Sequence, residues 1–275
     1  MKVFLGLKPI LYIFLILYSI ITCVPFAWAL SASFKPLNEI VAGGLNFIPQ
    51  NFTLDNYRQI FFESPLFGRW FLNSVFVAVC VTGLNLLFNS MAGYALARIS
   101  FPGQPLLFGL IVAVLLIPIQ VTLIPTYLIL KYLGWLNSYQ GLIVPNAANA
   151  TFIFMMRQFF VNFPKELEEA AALDGLNRWE TFFYIVLPLA KPALAAQTIF
   201  IFMSSWNNFL MPLMILSSPE MFTLPLGLNT FKGLYISYWN YIMAASIVFT
   251  LPAIAIYLFF NRYFVAGMLF TGTKG

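Results

Sequence analysis

Six stretches of this chain hold no Asp, Glu, Lys or Arg: residues 9–34, 70–97, 99–130, 132–156, 192–219 and 233–261. Each is longer than the ~20 residues an apolar helix needs to cross the hydrocarbon core of a bilayer. Inside that core no water is present to satisfy peptide groups, so a run of this kind must close its hydrogen bonds within a helix. The expected fold is therefore an all-α polytopic membrane protein with six transmembrane helices. Composition agrees: 61% of residues are hydrophobic and 8% charged, against roughly 25% charged in a soluble domain. So little polar surface cannot cover a water-soluble globule. Lipid is the expected surrounding, and no nucleic-acid partner is expected.

An even number of spans puts both termini on one side, and Lys and Arg decide which. With the N-terminus inside, the inner segments hold Lys2, Lys8, Arg98, Arg157, Lys165, Arg178, Lys191, Arg262 and Lys274. The outer segments hold Lys35, Arg58, Arg69, Lys131 and Lys232. The bias favours cytoplasmic N- and C-termini. Lys2 and Lys8 before an apolar run, and Ala27-Trp28-Ala29 after it, have the look of a cleavable leader. The run exceeds the ~7–15 residues of a leader's apolar region and is interrupted by Pro25, which favours a retained anchor.

What is missing narrows the function. The chain has no His, which removes His-based triads and most zinc sites. Cys23 and Cys80 lie in apolar runs without metal-ligand spacing and read as free thiols. No carboxylate pair or activated nucleophile is apparent, so a membrane enzyme is disfavoured and neither cofactor nor metal is expected. Proton- and ion-coupled carriers commonly keep an ionisable group at mid-membrane, and none lies in these runs. A G-x-x-x-x-G-K-[ST] phosphate loop is absent too. The work of any transport has to come from outside the chain.

One polar island stands out. Arg157, Lys165, Glu166, Glu168, Glu169, Asp174, Arg178, Glu180 and Lys191 crowd together between the fourth and fifth runs. Pro164 suits a helix start, and Glu166, Glu168 and Glu169 favour the positive end of the helix dipole. Ala170, Ala171 and Ala172 are strong helix formers with little bulk. Asp174-Gly175 reads as a stop with a left-handed cap. Asn177 with Glu180 three residues on reads as a capping box, and the second helix should end near Leu187-Pro188. Two short helices and a hinge make a knuckle in water, either an ordinary solvated loop or a handle for a partner.

Glu169-Ala170-Ala171, Gly175 and Ile185-x-Leu187-Pro188 are similar, in residue and spacing, to the "EAA" signature of membrane subunits of binding-protein-dependent ABC importers. Phe34-Lys35-Pro36, the stretch Ala97-Arg98-Ile99-Ser100-Phe101-Pro102-Gly103, Trp206-Asn207 and the closing Thr271-Gly272-Thr273-Lys274-Gly275 resemble the sugar-uptake permeases, above all the smaller maltose-type permeases. Leu176, where many relatives carry Ala, departs slightly. The resemblance implies an ABC type I importer permease fold whose cytoplasmic coupling helix meets a separate ATPase. It also implies one of two homologous permease subunits standing on two ATP-binding subunits and receiving a sugar-like substrate from an extracytoplasmic solute-binding protein. The setting is a bacterial or archaeal cytoplasmic membrane. The coupling residues would be Glu169, Ala170, Ala171, Asp174, Gly175, Ile185, Leu187 and Pro188, with Glu169 facing basic groups of the ATPase and Gly175 as hinge.

Within the runs, amides and hydroxyls must pair or line a wet path. Ser204, Trp206, Asn207 and Asn208 form a possible solute pathway; amides hydrogen-bond hydroxyls and rings stack on sugar faces. The competing reading is that such side chains staple helices together. Gly93 and Ala97, four apart, suit close helix packing. Residues 35–69 read either as a docking surface for the binding protein or as a tether on the membrane. The expected organisation is an anchor with its outer segment (1–69), a transport domain (70–264, with the coupling loop at about 162–190) and a tail (265–275). A stand-alone carrier or channel for a small neutral solute is the alternative function, and it leaves the knuckle unexplained.

Overall fold

A computed structural model describes residues 3–44, 46–233 and 237–271, with side chains described over 9–263. Of the closing motif, Gly272 to Gly275 therefore lie outside the described residues. Among the described residues the regular secondary structure is helical apart from one isolated bridge between Lys232 and Ser237. Two compact units are present: Met1–Arg69 with Gly227–Leu251, and Trp70–Leu226 with Pro252–Gly275.

In the first unit, helix Val3–Ala32 presents apolar side chains outward over residues 10–26, with Phe14 64% and Ile21 68% exposed. Such a surface is stable only against lipid or another apolar body. The segment that follows is held by polar side chains. Asn56 Nδ2 donates to the carbonyls of Ser33 and Lys35, both at 2.8 Å, and Asn240 Nδ2 donates to Asn56 Oδ1 at 2.7 Å. The Glu39 carboxylate accepts from the Gln50 and Asn51 amides at 2.9 and 3.0 Å, with Lys35 Nζ 3.8 Å away. The Gln50 amide above all, with help from Asn51 and the Lys35 charge, holds the Glu39 carboxyl below the usual carboxylate range against a smaller opposing effect of burial. Helix Asp55–Arg58 continues directly into a π-helical turn, Gln59–Glu63.

In the second unit, helix Phe67–Arg98 supplies the central wall from Trp70 onward. One apolar cluster gathers Val77, Val81, Leu130, Leu142, Ile201, Met211 and Ile215; a second gathers Tyr94, Met156, Phe160, Phe163, Phe182 and Val186. Gly93 permits the second. A Cβ there would stand 2.6 Å from Met156 Cβ and 2.9 Å from the Arg157 backbone nitrogen, so helix Ala150–Val161 comes closer than any side chain allows. The buried amides of this wall act as staples. Asn73 Nδ2 donates to the carbonyls of Glu220 and Phe222 at 2.9 Å, Asn85 Nδ2 to that of Asn146, and Asn89 Oδ1 accepts from the Asn149 amide at 3.0 Å.

The all-α polytopic architecture stands, but six uninterrupted helices do not appear. Among the described residues three helices are long and apolar enough to span: Pro9–Ala32, Phe67–Arg98 and Trp239–Tyr263. Two bent pairs, Gln104–Val114 with Ile119–Tyr132 (104°) and Arg178–Leu189 with Lys191–Trp206 (76°), raise this to at most five, if each pair counts as one span. Pro118 starts the second limb of the first pair, because a proline disfavours helix in the residue before it. The fourth run is cut into Tyr139–Ile143, Val144–Asn146 and Ala150–Val161, with Pro145 in the middle segment. Absence of charge thus marks apolar surroundings without guaranteeing one continuous helix.

The last helix continues to Thr271, past the expected start of a tail at 265.

Candidate functional site

The knuckle folds much as its residues dictate. Helix Lys165–Leu173 starts after Pro164, whose extended ψ makes it the cap rather than the first helical residue. It ends in a Schellman arrangement: the Leu176 amide donates to the Ala171 carbonyl at 3.0 Å and the Gly175 amide to that of Ala172 at 3.1 Å. This requires the left-handed φ of +87° found at Gly175. Asn177 then caps the second helix through the Trp179 and Glu180 amides, and Glu180 returns a bond to the Asn177 amide at 2.8 Å, completing the capping box. With both ends locked, the bend between the helices is fixed.

The second helix ends where Leu187-Pro188 led us to expect. It widens into a π-helical stretch, Thr181–Val186, and closes with Leu187–Leu189 before bending at Ala190. The longer hydrogen-bond register of the π turn accommodates a proline that lacks a donor.

The faces of helix Lys165–Leu173 are sorted by solvent. Glu169, Ala170, Asp174 and Gly175 are exposed, and Glu169 makes no ion pair or hydrogen bond among the described residues. Ala171 is buried, which allows the helix to lie close on its support. Ile185 and Leu187 are half-buried and Pro188 is exposed. The next-door carboxylate, Glu168, turns inward. Its Oε1 lies 2.9 Å from Arg98 Nε as an ion pair lacking hydrogen-bond alignment, and its Oε2 accepts from the Tyr94 hydroxyl at 3.4 Å. Arg98 also donates to the Phe163 carbonyl. The end of helix Phe67–Arg98 is thereby tied to the start of the knuckle. Sequence reasoning missed this pair. The available signal was Arg98 itself, a lone charge between two apolar runs that needs a counter-ion.

The expected solute pathway is only partly assembled. A cavity of about 80 Å³ lies in the second unit, and Ser204, Ser205 and Asn208 line it together with Asn85, Asn149 and Thr223. Trp206 and Asn207 are not on its wall. Trp206 is 1% exposed and packs between Phe71 and Phe202, so it belongs to the core. Asn207 Nδ2 donates to the Met203 carbonyl at 2.8 Å and closes its own helix end. The helix stops at Trp206, and Asn208 Oδ1 accepts from the Met211 amide at 3.3 Å to begin the next turn. The cavity wall carries the amides and hydroxyls a polyhydroxylated solute needs. Its volume is below the ~150 Å³ that admits a benzene ring.

The family model described as "Binding-protein-dependent transport system inner membrane component" matches residues 89–269. An arabinooligosaccharides transport system permease protein of Halalkalibacterium halodurans is 39% identical over 93% of this chain and 92% of the relative. A diacetylchitobiose uptake system permease protein of Streptomyces coelicolor is 34% identical over 94% and 86%. A chain in the crystal structure of a bacterial ABC transporter that imports the acidic polysaccharide alginate superimposes with a TM-score of 0.84 at 24% identity, over 94% of this chain and 96% of that one.

Proposed function

Because this chain belongs to the inner membrane component family of binding-protein-dependent transport systems, we propose that it forms half of the pathway of an ATP-driven importer for a sugar, oligosaccharide or related polyol. Its companions are a second, homologous permease subunit, two ATP-binding subunits and an extracytoplasmic solute-binding protein. The chain lies in a bacterial or archaeal cytoplasmic membrane with both termini inside, so the knuckle is cytoplasmic. Residues 70–264 are the transport domain, 1–69 the anchor with its outer segment, and the remainder a tail.

The observation that carries this reading is the pair of neighbouring carboxylates on helix Lys165–Leu173. Glu168 is spent on holding the helix to the bundle, and Glu169 is presented to solvent. A carboxylate displayed on an alanine face, on a helix locked at its C-terminal end, suits a basic cleft of an ATPase. Movement of that ATPase then reaches helix Phe67–Arg98 through Arg98. Glu169, Ala170, Ala171, Asp174, Gly175, Ile185, Leu187 and Pro188 form the coupling element. Ser204 and Asn208 line the solute path, which must open beyond the present cavity for a sugar to pass. That relatives are named for arabinooligosaccharide and diacetylchitobiose transport supports the substrate class.

The test is uptake of a labelled saccharide panel by cells carrying the full transporter, with and without this chain, alongside affinity purification through the chain. Loss of uptake for a saccharide, with an ATPase co-purifying, is the expected result. Uptake that persists in a preparation free of any ATPase overturns the proposal.

A further inference from the structure

Beside the Arg98–Glu168 pair lie two cavities of opposite character. One, about 390 Å³, is walled almost entirely by carbon, from Met91, Tyr94, Ala95, Trp179 and Phe182. The other, about 200 Å³, is polar and is lined by Arg98, Glu168, Arg178 and Thr181. They meet at Tyr94, Ile99 and Arg178, which line both. The charges here do not balance. Arg98 is committed to Glu168. Arg178 is exposed and has no hydrogen bond or ion pair among the described residues. The site keeps one unspent positive charge at the junction of a greasy and a wet compartment.

The position is also informative. Met91, Tyr94, Ala95 and Arg98 occupy the last turns of a helix that spans the bilayer, which is the level of lipid headgroups. The apolar cavity exceeds twice the ~150 Å³ that accepts a benzene ring in a protein interior. A segment of acyl chain fits such a volume. Basic recesses between spans bind anionic headgroups through the same chemistry.

We propose that this pair of cavities binds one anionic phospholipid, its phosphate on Arg178 and its chain against Met91, Ala95 and Phe182. The lipid bridges the end of helix Phe67–Arg98 to the helix that follows Gly175 and braces the knuckle. The exposed face of Glu169 stays clear, since Glu169 lines neither cavity. This inference rests on the chain's place in the membrane and not on its solute, so its outcome is independent of the uptake test.

The experiment measures lipid binding to the intact, detergent-purified transporter by native mass spectrometry. The probes are phosphatidylglycerol, phosphatidylcholine with the same acyl chains, and glycerol 3-phosphate as a soluble headgroup. Phosphatidylglycerol is expected to occupy one site in preference to phosphatidylcholine. Arg178→Gln should weaken that preference roughly five-fold, the worth of one basic group at a membrane surface. Ala95→Phe, which fills the apolar cavity, should weaken both lipids. Equal binding of the two lipids, or an unchanged preference in Arg178→Gln, overturns the proposal. Glycerol 3-phosphate binding as tightly as phosphatidylglycerol assigns the site to a soluble anion and overturns the lipid. Arg178 is exposed, so its substitution leaves packing intact, and unfolding temperatures of both variants control for folding.

Discussion

The Arg98 guanidinium lies 2.9 Å from the Glu168 carboxylate, with the two side chains 6% and 20% exposed. An ion pair this far from water is costly to break, because the remaining partner is left charged and unpaired. It joins a spanning helix to a surface knuckle, which makes it the mechanical link in the proposed mechanism.

Removal of either partner should therefore destabilise the protein by about 3 kcal/mol, whereas removal of both should cost less than the two single losses combined. Thermal unfolding of Arg98→Ala, Glu168→Ala and the double variant checks this. Additive losses would mean that the pair carries no coupling.

Glu169 should behave in the opposite way to its neighbour. Because it is exposed and unpaired, Glu169→Lys should leave stability within about 0.5 kcal/mol of the parent. Saccharide uptake should nevertheless be abolished while the chain still inserts. Normal uptake by this variant removes Glu169 from the coupling element.

Gly175 holds φ at +87°. Ala in its place should cost about 1 kcal/mol, the penalty for an L residue in the left-handed region. Gly175→Pro should do more harm, since it forbids that φ and deletes the bond from the Gly175 amide to Ala172. Uptake is expected to fall partly with Ala and completely with Pro, as measured at equal membrane levels of each variant.

Gly93→Ala places a methyl group against Met156 and the backbone of residue 157. Backbone cannot step aside as a side chain end can, so overpacking should cost about 1–3 kcal/mol. Gly83→Ala, on the same helix with nothing within 4 Å of the new atom, is the control. Similar melting behaviour in the two variants contradicts close helix approach at Gly93.

Glu39 supplies a pH dependence. Its pKa is lowered in the fold, chiefly by the Gln50 amide. Its contribution is therefore complete above the ordinary carboxylate range and is lost as pH falls through that range to the folded value. Proteolysis of the 37–51 segment should accelerate on acidification across that window. Glu39→Gln should be cleaved quickly at every pH and lose the dependence.

The sequence alone determined that the chain is a bundle of apolar helices, because stretches free of charge have no stable place but lipid. It also determined the knuckle's turns: Gly175 permits a conformation that other residues resist, and Asn177 with Glu180 caps a helix through contacts within four residues. Such features are local, so composition and spacing suffice to read them.

Tertiary structure decided the rest. Whether a charge-free run is one helix or two depends on how neighbours accept the groups freed at Pro118 and Pro145. Two adjacent glutamates look alike in sequence; only the approach of Arg98, seventy residues before Glu168, turns one inward and leaves the other outside. Trp206 and Ser204 sit two apart, yet packing against Phe71 placed the indole in the core while the hydroxyl lines the cavity. Those outcomes depend on distant partners, and no local spacing encodes where distant partners meet.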